Sequence, residues 1–153
     1  MARKDRLIIL DLDHTLIYAS YAESETASQL CEYDELLTIY ERPYVREFIS
    51  TCKKLGDVII YTLSDRDYAE LICDKLNIKP LEIMAGLGSY LGYEDIQKSI
   101  KSSWYKKYKD IVVIDDSPGL WRSSDREKAR FIVPPEFMGD AHDDALRYID
   151  LLE

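Results

Sequence analysis

The chain is short of the residues that mark several common protein classes. Its 153 residues include only three cysteines, Cys31, Cys52 and Cys73, scattered and odd in number, with no Cys-x-x-Cys pair. That pattern offers neither a zinc site nor a dithiol redox centre, and it reads as free thiols in a reducing cytosol. Cys52 and Cys73 fall at helical core spacings, which suits packing. No apolar run approaches the ~18 residues a membrane span needs. The first six residues are basic, but they lead into a short apolar run that ends in acids, which is not the layout of a signal peptide. The expected location is therefore the cytoplasm, or the nucleus if the source is eukaryotic. No long linker, repeat or low-complexity tract interrupts the chain. Basic charge is also scarce: 20 Lys and Arg face 29 Asp and Glu, a formal net charge of −9. That balance opposes non-specific nucleic-acid binding, which draws on a basic face. Lys98, Lys101, Lys106, Lys107 and Lys109 do cluster, and for most of them a solvated helix face is the expectation.

What is present is ordinary for a soluble domain, with 46% hydrophobic and 32% charged residues and enough length to bury a core. The organising stretch runs from Leu7 to Leu16. An apolar run, Leu7-Ile8-Ile9-Leu10, predicts a buried strand. It ends in two carboxylates spaced i, i+2, Asp11 and Asp13, followed by the hydroxyl of Thr15. In α/β proteins ligands sit at the carboxyl ends of parallel strands. Two close carboxylates there repel each other unless a cation or a shared proton offsets the repulsion.

Further strands follow, alternating with helices. Residues 17–41 are the least regular part, with a strand or flap edge over Leu36–Tyr40. Arg42-Pro43 opens a helix, with Pro43 at its first position and Val45, Phe48, Ile49 and Cys52 on one face, stopped by Gly56. Asp57–Thr62 is a second buried strand, and Ser64 or Asp65 caps the next helix, with Tyr68, Leu71, Ile72 and Leu76 inward. Leu81–Met84 is a short third strand. Tyr93–Tyr108 reads as a helix, Ile111–Ile114 as a buried strand ending in Asp115-Asp116, and Phe131–Val133 as a last strand. Leu146, Ile149 and Leu152 mark a closing helix. The alternation implies βαβ units and a doubly wound, mainly parallel sheet in one α/β domain spanning 1–153. Residues 17–41 and 78–97 are small flap or insert segments, with no room for a large cap domain.

Three strands thus end in polar residues: Asp11 with Asp13, Thr62, and Asp115 with Asp116. A lysine from the helix before the last pair, Lys98 or Lys101, is placed to join them. Phosphoryl transfer calls for such a set: a nucleophile, a proton donor, a divalent metal and donors for the phosphoryl oxygens.

The Asp11-Leu12-Asp13-His14-Thr15 stretch resembles the first motif of the haloacid dehalogenase (HAD) superfamily, Asp-x-Asp-x-Thr after a hydrophobic strand. Arg42-Pro43 with Phe48, the Thr62 to Tyr68-Ala69 segment and Asp115-Asp116-Ser117-Pro118 are similar to motifs of its NLI-interacting-factor-like branch, which includes the small C-terminal-domain phosphatases. The similarity covers roughly residues 6 to 138. It implies a HAD-like fold and a Mg²⁺-dependent phosphomonoesterase that forms an aspartyl phosphate on Asp11. Asp13 would serve as general acid and base, and Thr62 and Lys98 would bind the phosphoryl oxygens. Lys98-Ser99-Ile100 resembles the family's Lys-Asp-Leu, which favours Lys98 over Lys101. The metal would take Asp11, the backbone carbonyl of Asp13 and Asp116, with Asp115 assisting. His14 occupies the variable place of the motif and either meets the substrate or faces solvent. An open site suits a phosphorylated macromolecule, a phosphoprotein before a nucleic acid, and no membrane. The branch points to phosphoserine or phosphothreonine. Alternatives are a polynucleotide end phosphatase, with Trp104 or Trp121 as stacking platforms, a small-metabolite phosphatase or nucleotidase, and a non-catalytic phosphate- or partner-binding relic.

Overall fold

Leu7 to Leu10, the most apolar run near the start of the chain, becomes the middle of a five-stranded parallel sheet. The computed structural model describes residues 5–22, 26–86 and 97–152. Strand β1 (Arg6–Leu10) lies between β5 (Asp57–Tyr61) and β7 (Asp110–Ile114), and β6 (Glu82–Met84) and β8 (Arg130–Ile132) form the edges, in the order β6-β5-β1-β7-β8. Every pair in this sheet is parallel, with Leu10 in register with Ile60 on one side and Ile114 on the other. The chain leaves β1 toward both neighbours in turn, so the crevice at which an open α/β sheet binds ligands falls at the end of β1.

Side chains of a strand alternate between faces, and that period of two divides the core. Ile8, Leu10, Val58, Ile60, Val112 and Ile114 pack on one face with Phe48, Ile49 and Cys52 of helix α1 (Val45–Leu55) and Tyr68, Ala69 and Ile72 of α2 (Arg66–Lys75). Leu7, Ile9, Ile59, Tyr61, Ile111 and Val113 pack on the other with Trp104 of α3 (Ser102–Lys107), Tyr108 and Trp121. The central strands are therefore buried on both faces, as their unbroken apolar runs predict. No helix among the described residues is long and apolar enough to cross a membrane.

Residues 17–41 carry more regular structure than their sequence suggests. Strands β2 (Ile17–Ser20), β3 (Gln29–Tyr33) and β4 (Leu37–Glu41) form a separate antiparallel sheet in the order β2-β4-β3. Strand β3 was not legible because its exposure alternates weakly and a bulge separates Gln29 from Cys31.

Three helix expectations need correction, and one helix was not expected. Pro43 does not open α1; the helix starts at Val45, after Tyr44 in the left-handed region at φ 68°. The backbone N–H of Val45 donates to the carbonyl of Arg42 in a preceding turn, 3.1 Å, and the buried face of Val45, Phe48, Ile49 and Cys52 is as expected. The helix expected over Tyr93–Tyr108 is confined, among the described residues, to Ser102–Lys107, and 93–96 lie outside those residues. Lys98 is instead extended: its N–H donates to Leu120 O (2.7 Å) and its carbonyl accepts from Arg122 N–H (3.0 Å). The closing helix is a short 3₁₀ turn, Ala145–Tyr148, with Leu146 buried and Leu152 exposed. Helix α4 (Ser123–Lys128), polar along its length, was not anticipated.

Candidate active site

Three parallel strands deliver their first polar residues to one cleft. Asp11 follows β1, Thr62 follows β5 and Asp115-Asp116 follow β7. These residues line an open cleft of about 160 Å³ together with Asp13, His14, Leu63, Ser64, Lys98, Ser117 and Leu120. That volume is below the ~300–1,000 Å³ of pockets that enclose a drug-sized ligand. The cleft thus takes a small group and leaves the rest of its ligand outside.

Lys98 is 1% exposed and sits at the centre of the cluster. Its Nζ donates to Asp11 Oδ1 (3.1 Å), Asp115 Oδ2 (2.8 Å) and the Tyr61 carbonyl (3.2 Å). The rings of Tyr61 and Trp121 lie beside it, each 5.7 Å from Nζ to centroid. Burial alone would lower this ammonium, but Asp11 and Asp115 outweigh it and hold Lys98 above its ordinary value. Lys101 turns away to an exposed pair with Glu82 at 3.0 Å and lies over Trp104.

Asp115 is 1% exposed and its oxygens meet protein donors: Trp121 Nε1 at 2.9 Å and Lys98 on Oδ2, and the Ser117 backbone N–H on Oδ1 at 2.9 Å. Among the described residues the Asp116 carboxylate meets the hydroxyls of Thr15 at 3.0 Å and Ser117 at 3.3 Å. The Thr15 hydroxyl lies between Asp11 (2.8 Å) and Asp116 and accepts from the Asp116 backbone N–H at 3.1 Å. Burial pushes the Asp11 carboxyl well above the usual carboxylate range; Lys98 works against this and Asp115 adds to it.

Carboxylate oxygens of Asp11, Asp115 and Asp116 lie within 4.8 Å of one another. Three carboxyl groups face a single ammonium there, so the negative charge they carry when ionised exceeds the positive charge beside them. Hard oxygen donors with uncompensated charge fit a divalent cation such as Mg²⁺. Asp13 stands apart from that trio. Its side chain accepts from Tyr68 Oη (2.6 Å) and Ser64 Oγ (2.8 Å). Burial and then Asp13 itself push the Tyr68 phenol far above its ordinary range, so it stays a donor. Thr62 is 2% exposed and its Oγ1 accepts from Ser64 N–H at 3.1 Å, which leaves the hydroxyl proton to be donated.

His14 lines the mouth, in the left-handed region at φ 66°, with Nδ1 3.0 Å from the Phe137 carbonyl. Trp104 and Trp121 are 7% and 1% exposed, so neither is an exposed stacking platform. Sequence reasoning placed Asp11, Asp13, Thr62, Lys98, Asp115 and Asp116 around one edge, and the structure brings all six to this cleft. It missed Ser64 and Tyr68 on Asp13 and Trp121 on Asp115. It also missed Arg42, a fully buried guanidinium that bonds both oxygens of Asp143 and the carbonyls of Thr15 and Pro135, tying the first motif to the C-terminal segment.

The model of NLI interacting factor-like phosphatases matches residues 6–153. The chain belongs to this family. Among curated relatives it is 27% identical to the phosphatase PSR1 of Saccharomyces cerevisiae over 97% of this chain and 36% of that protein. It is 26% identical to RNA polymerase II C-terminal domain phosphatase-like 4 of Arabidopsis thaliana over 74% of this chain and 31% of that protein. The chain thus spans about a third of the length of these relatives. Among solved structures, the fission yeast RNA polymerase II CTD phosphatase Fcp1 bound to beryllium fluoride aligns with a TM-score of 0.61 at 21% identity, over 95% of this chain and 48% of that one. The likeness to Fcp1 shows a shared fold, built on the mainly parallel central sheet that the sequence implies.

Proposed function

We propose that the chain is a Mg²⁺-dependent phosphomonoesterase that works through an aspartyl phosphate on Asp11, with phosphoserine or phosphothreonine in proteins as its substrate. The carrying observation is the Asp11 carboxylate itself, fixed by Lys98 and Thr15 at the end of the central strand and open to the cleft. An Asp11 oxygen attacks phosphorus as the bond to the leaving oxygen breaks. Asp13 gives the leaving oxygen its proton, then takes one from the water that cleaves the acyl phosphate. Thr62 donates to a phosphoryl oxygen, and Lys98 places positive charge beside Asp11. Asp11 and Asp116, with the Asp13 carbonyl, would hold the metal, because Asp115 is engaged by Lys98, Trp121 and Ser117. A divalent cation there supplies counter-charge for Asp11 and for the phosphate.

The substrate class rests on three supports. The cleft is small and open, the relatives include C-terminal-domain phosphatases, and both tryptophans are buried while net charge is −9. Three free cysteines favour a reducing compartment, the cytoplasm or nucleus.

The test is phosphate release with Mg²⁺ and with EDTA, for wild type and Asp11→Asn, on p-nitrophenyl phosphate, phosphoserine peptides, phosphorylated oligonucleotides, nucleotides and sugar phosphates. We expect metal-dependent release, strongest on the peptides, that Asp11→Asn lowers by roughly 10³-fold or more, the scale of losing a nucleophile. Preference for oligonucleotide ends or small phosphates would overturn the substrate class. No turnover of any of them by the folded protein would leave the binding role.

A further inference from the structure

Both oxygens of Asp13 are held by hydroxyls from the segment after β5. Tyr68 donates to Oδ1 at 2.6 Å and Ser64 to Oδ2 at 2.8 Å. The two donors differ in freedom. Tyr68 lies within α2, is 6% exposed and belongs to the main core cluster. Its ring meets Tyr33 of β3 edge-on, 5.2 Å between centroids at 83°. The phenol oxygen cannot leave Asp13 without moving the core. Ser64 lies on the loop before α2, only partly buried, with a hydroxyl that turns about one bond. One oxygen of Asp13 therefore has a fixed partner and the other an exchangeable one.

We propose that Tyr68 is a positioning residue for proton transfer by Asp13. By fixing Oδ1, the phenol aims Oδ2 at the leaving oxygen, and Ser64 gives up Oδ2 when substrate enters. The proton on Oδ2 passes to the leaving oxygen as the phosphorus–oxygen bond breaks, Asp13 is left as carboxylate, and Oδ2 takes the proton back from the hydrolytic water. Tyr68 keeps its proton throughout. Because Tyr33 holds the Tyr68 ring, the antiparallel sheet takes part in setting the angle of Asp13. The inference rests on the proposed general-acid role of Asp13.

Tyr68→Phe removes one oxygen and keeps the ring on Tyr33. Steady-state kinetics with Mg²⁺ would compare p-nitrophenyl phosphate, whose leaving group needs no proton, with a phosphoserine peptide, whose alkoxide does. We expect kcat/KM, which reports the steps up to departure of the leaving group, to fall roughly 10- to 100-fold on the peptide, the scale of a misaimed proton donor, and to stay within about threefold on p-nitrophenyl phosphate. An equal fall in kcat/KM on both substrates, or no change in kcat/KM on either, would overturn the proposal. Asp13→Asn is the reference. If its loss shows no dependence on leaving group, the general-acid reading itself fails; if it does and Tyr68→Phe does not, only the positioning role fails. In the Asp13→Asn background, Tyr68→Phe should add no more than about twofold. Should Tyr68→Phe not fold, Tyr33→Leu loosens the ring without touching Asp13. A smaller loss confined to the peptide is then expected, and a uniform loss or none would overturn the proposal.

Discussion

Lys98 directs all three of its N–H bonds to protein acceptors, whereas Lys101 holds an exposed pair with Glu82. Between Asp11 and Asp115, Lys98 is the counter-charge that lets two buried carboxylates stand together. Removing one member of such a group leaves uncompensated buried charge. Lys98→Ala should therefore destabilise the metal-free protein by on the order of 3 kcal/mol as well as abolish turnover. Lys101→Ala breaks an exposed pair with Glu82 and a contact over the Trp104 ring, and should cost no more than about 1 kcal/mol with turnover intact. Urea denaturation at neutral pH without metal, paired with phosphate release, checks both; equal effects of the two variants would deny Lys98 its central place. The acids of the site were legible because each ends an apolar strand, and a strand end is a local signal. The resemblance favoured Lys98 but left Lys101 open, since a helix over both would have put them on nearby faces. Only the extended backbone bridge between Lys98 and Trp121 separates them, and pairing between segments has no local signature. Ser64 and Tyr68 were not legible for the same reason, lying 51 and 55 residues from the Asp13 they hold.

Elements meet most tightly where α1 ends and β5 begins. Gly56 follows α1, and its N–H donates to the Cys52 carbonyl at 3.0 Å. Its backbone is extended, so its need for glycine comes from space: a Cβ there would stand 2.6 Å from the backbone carbonyl oxygen of Arg6. A main-chain atom of the central strand cannot rotate away as a side chain would. Gly56→Ala should part the α1–β5 corner from β1 and cost about 1–3 kcal/mol, the range for overpacking. A urea midpoint within experimental error of wild type would show that the corner gives way freely. The sequence marked this glycine as a helix stop, which it is, without showing the neighbour that excludes a methyl group. Elements with a strong period, α1, α2, β1, β5 and β7, were legible. Those read wrongly share a physical cause. Near Lys98 and after Ala145 apolar residues recur at helical spacing, yet the backbone bonds elsewhere: Lys98 to Leu120 and Arg122, and Arg147 in a single turn to Asp144.

At the scale of the molecule, the two ends of the parallel sheet have opposite tasks. The carboxyl end gathers like charges around Asp11 and is costly to hold together without a cation. The amino end is clamped. Arg6 at the start of β1 donates to Asp110 Oδ2 at 2.7 Å, and Arg130 at the start of β8 reaches the same oxygen at 3.0 Å. The clamp extends through Arg6 to the carbonyl of Leu55, the last residue of α1, and through Arg130 to that of Leu151. Burial acts to raise the Asp110 carboxyl, but hydrogen bonds and charge from Arg130 and Arg6 outweigh it and hold the group below its ordinary value. A carboxylate lowered by folding contributes stability that is complete above its unfolded value of ~3.9 and lost as pH falls through the lower folded value. Asp110 is about one-third exposed, so solvent screens the clamp and its worth is on the order of 1 kcal/mol at neutral pH. Asp110→Asn should accordingly be less stable than wild type near neutrality, with the gap closing as pH drops below about 4 and narrowing also in high salt. Urea midpoints for both proteins from about pH 7 to about pH 2 would show this convergence. A gap that stays constant over that range would mean that Asp110 acts through the shape of its hydrogen bonds and not through its charge. The electrostatic account of how the two ends of the sheet divide their work would then be wrong.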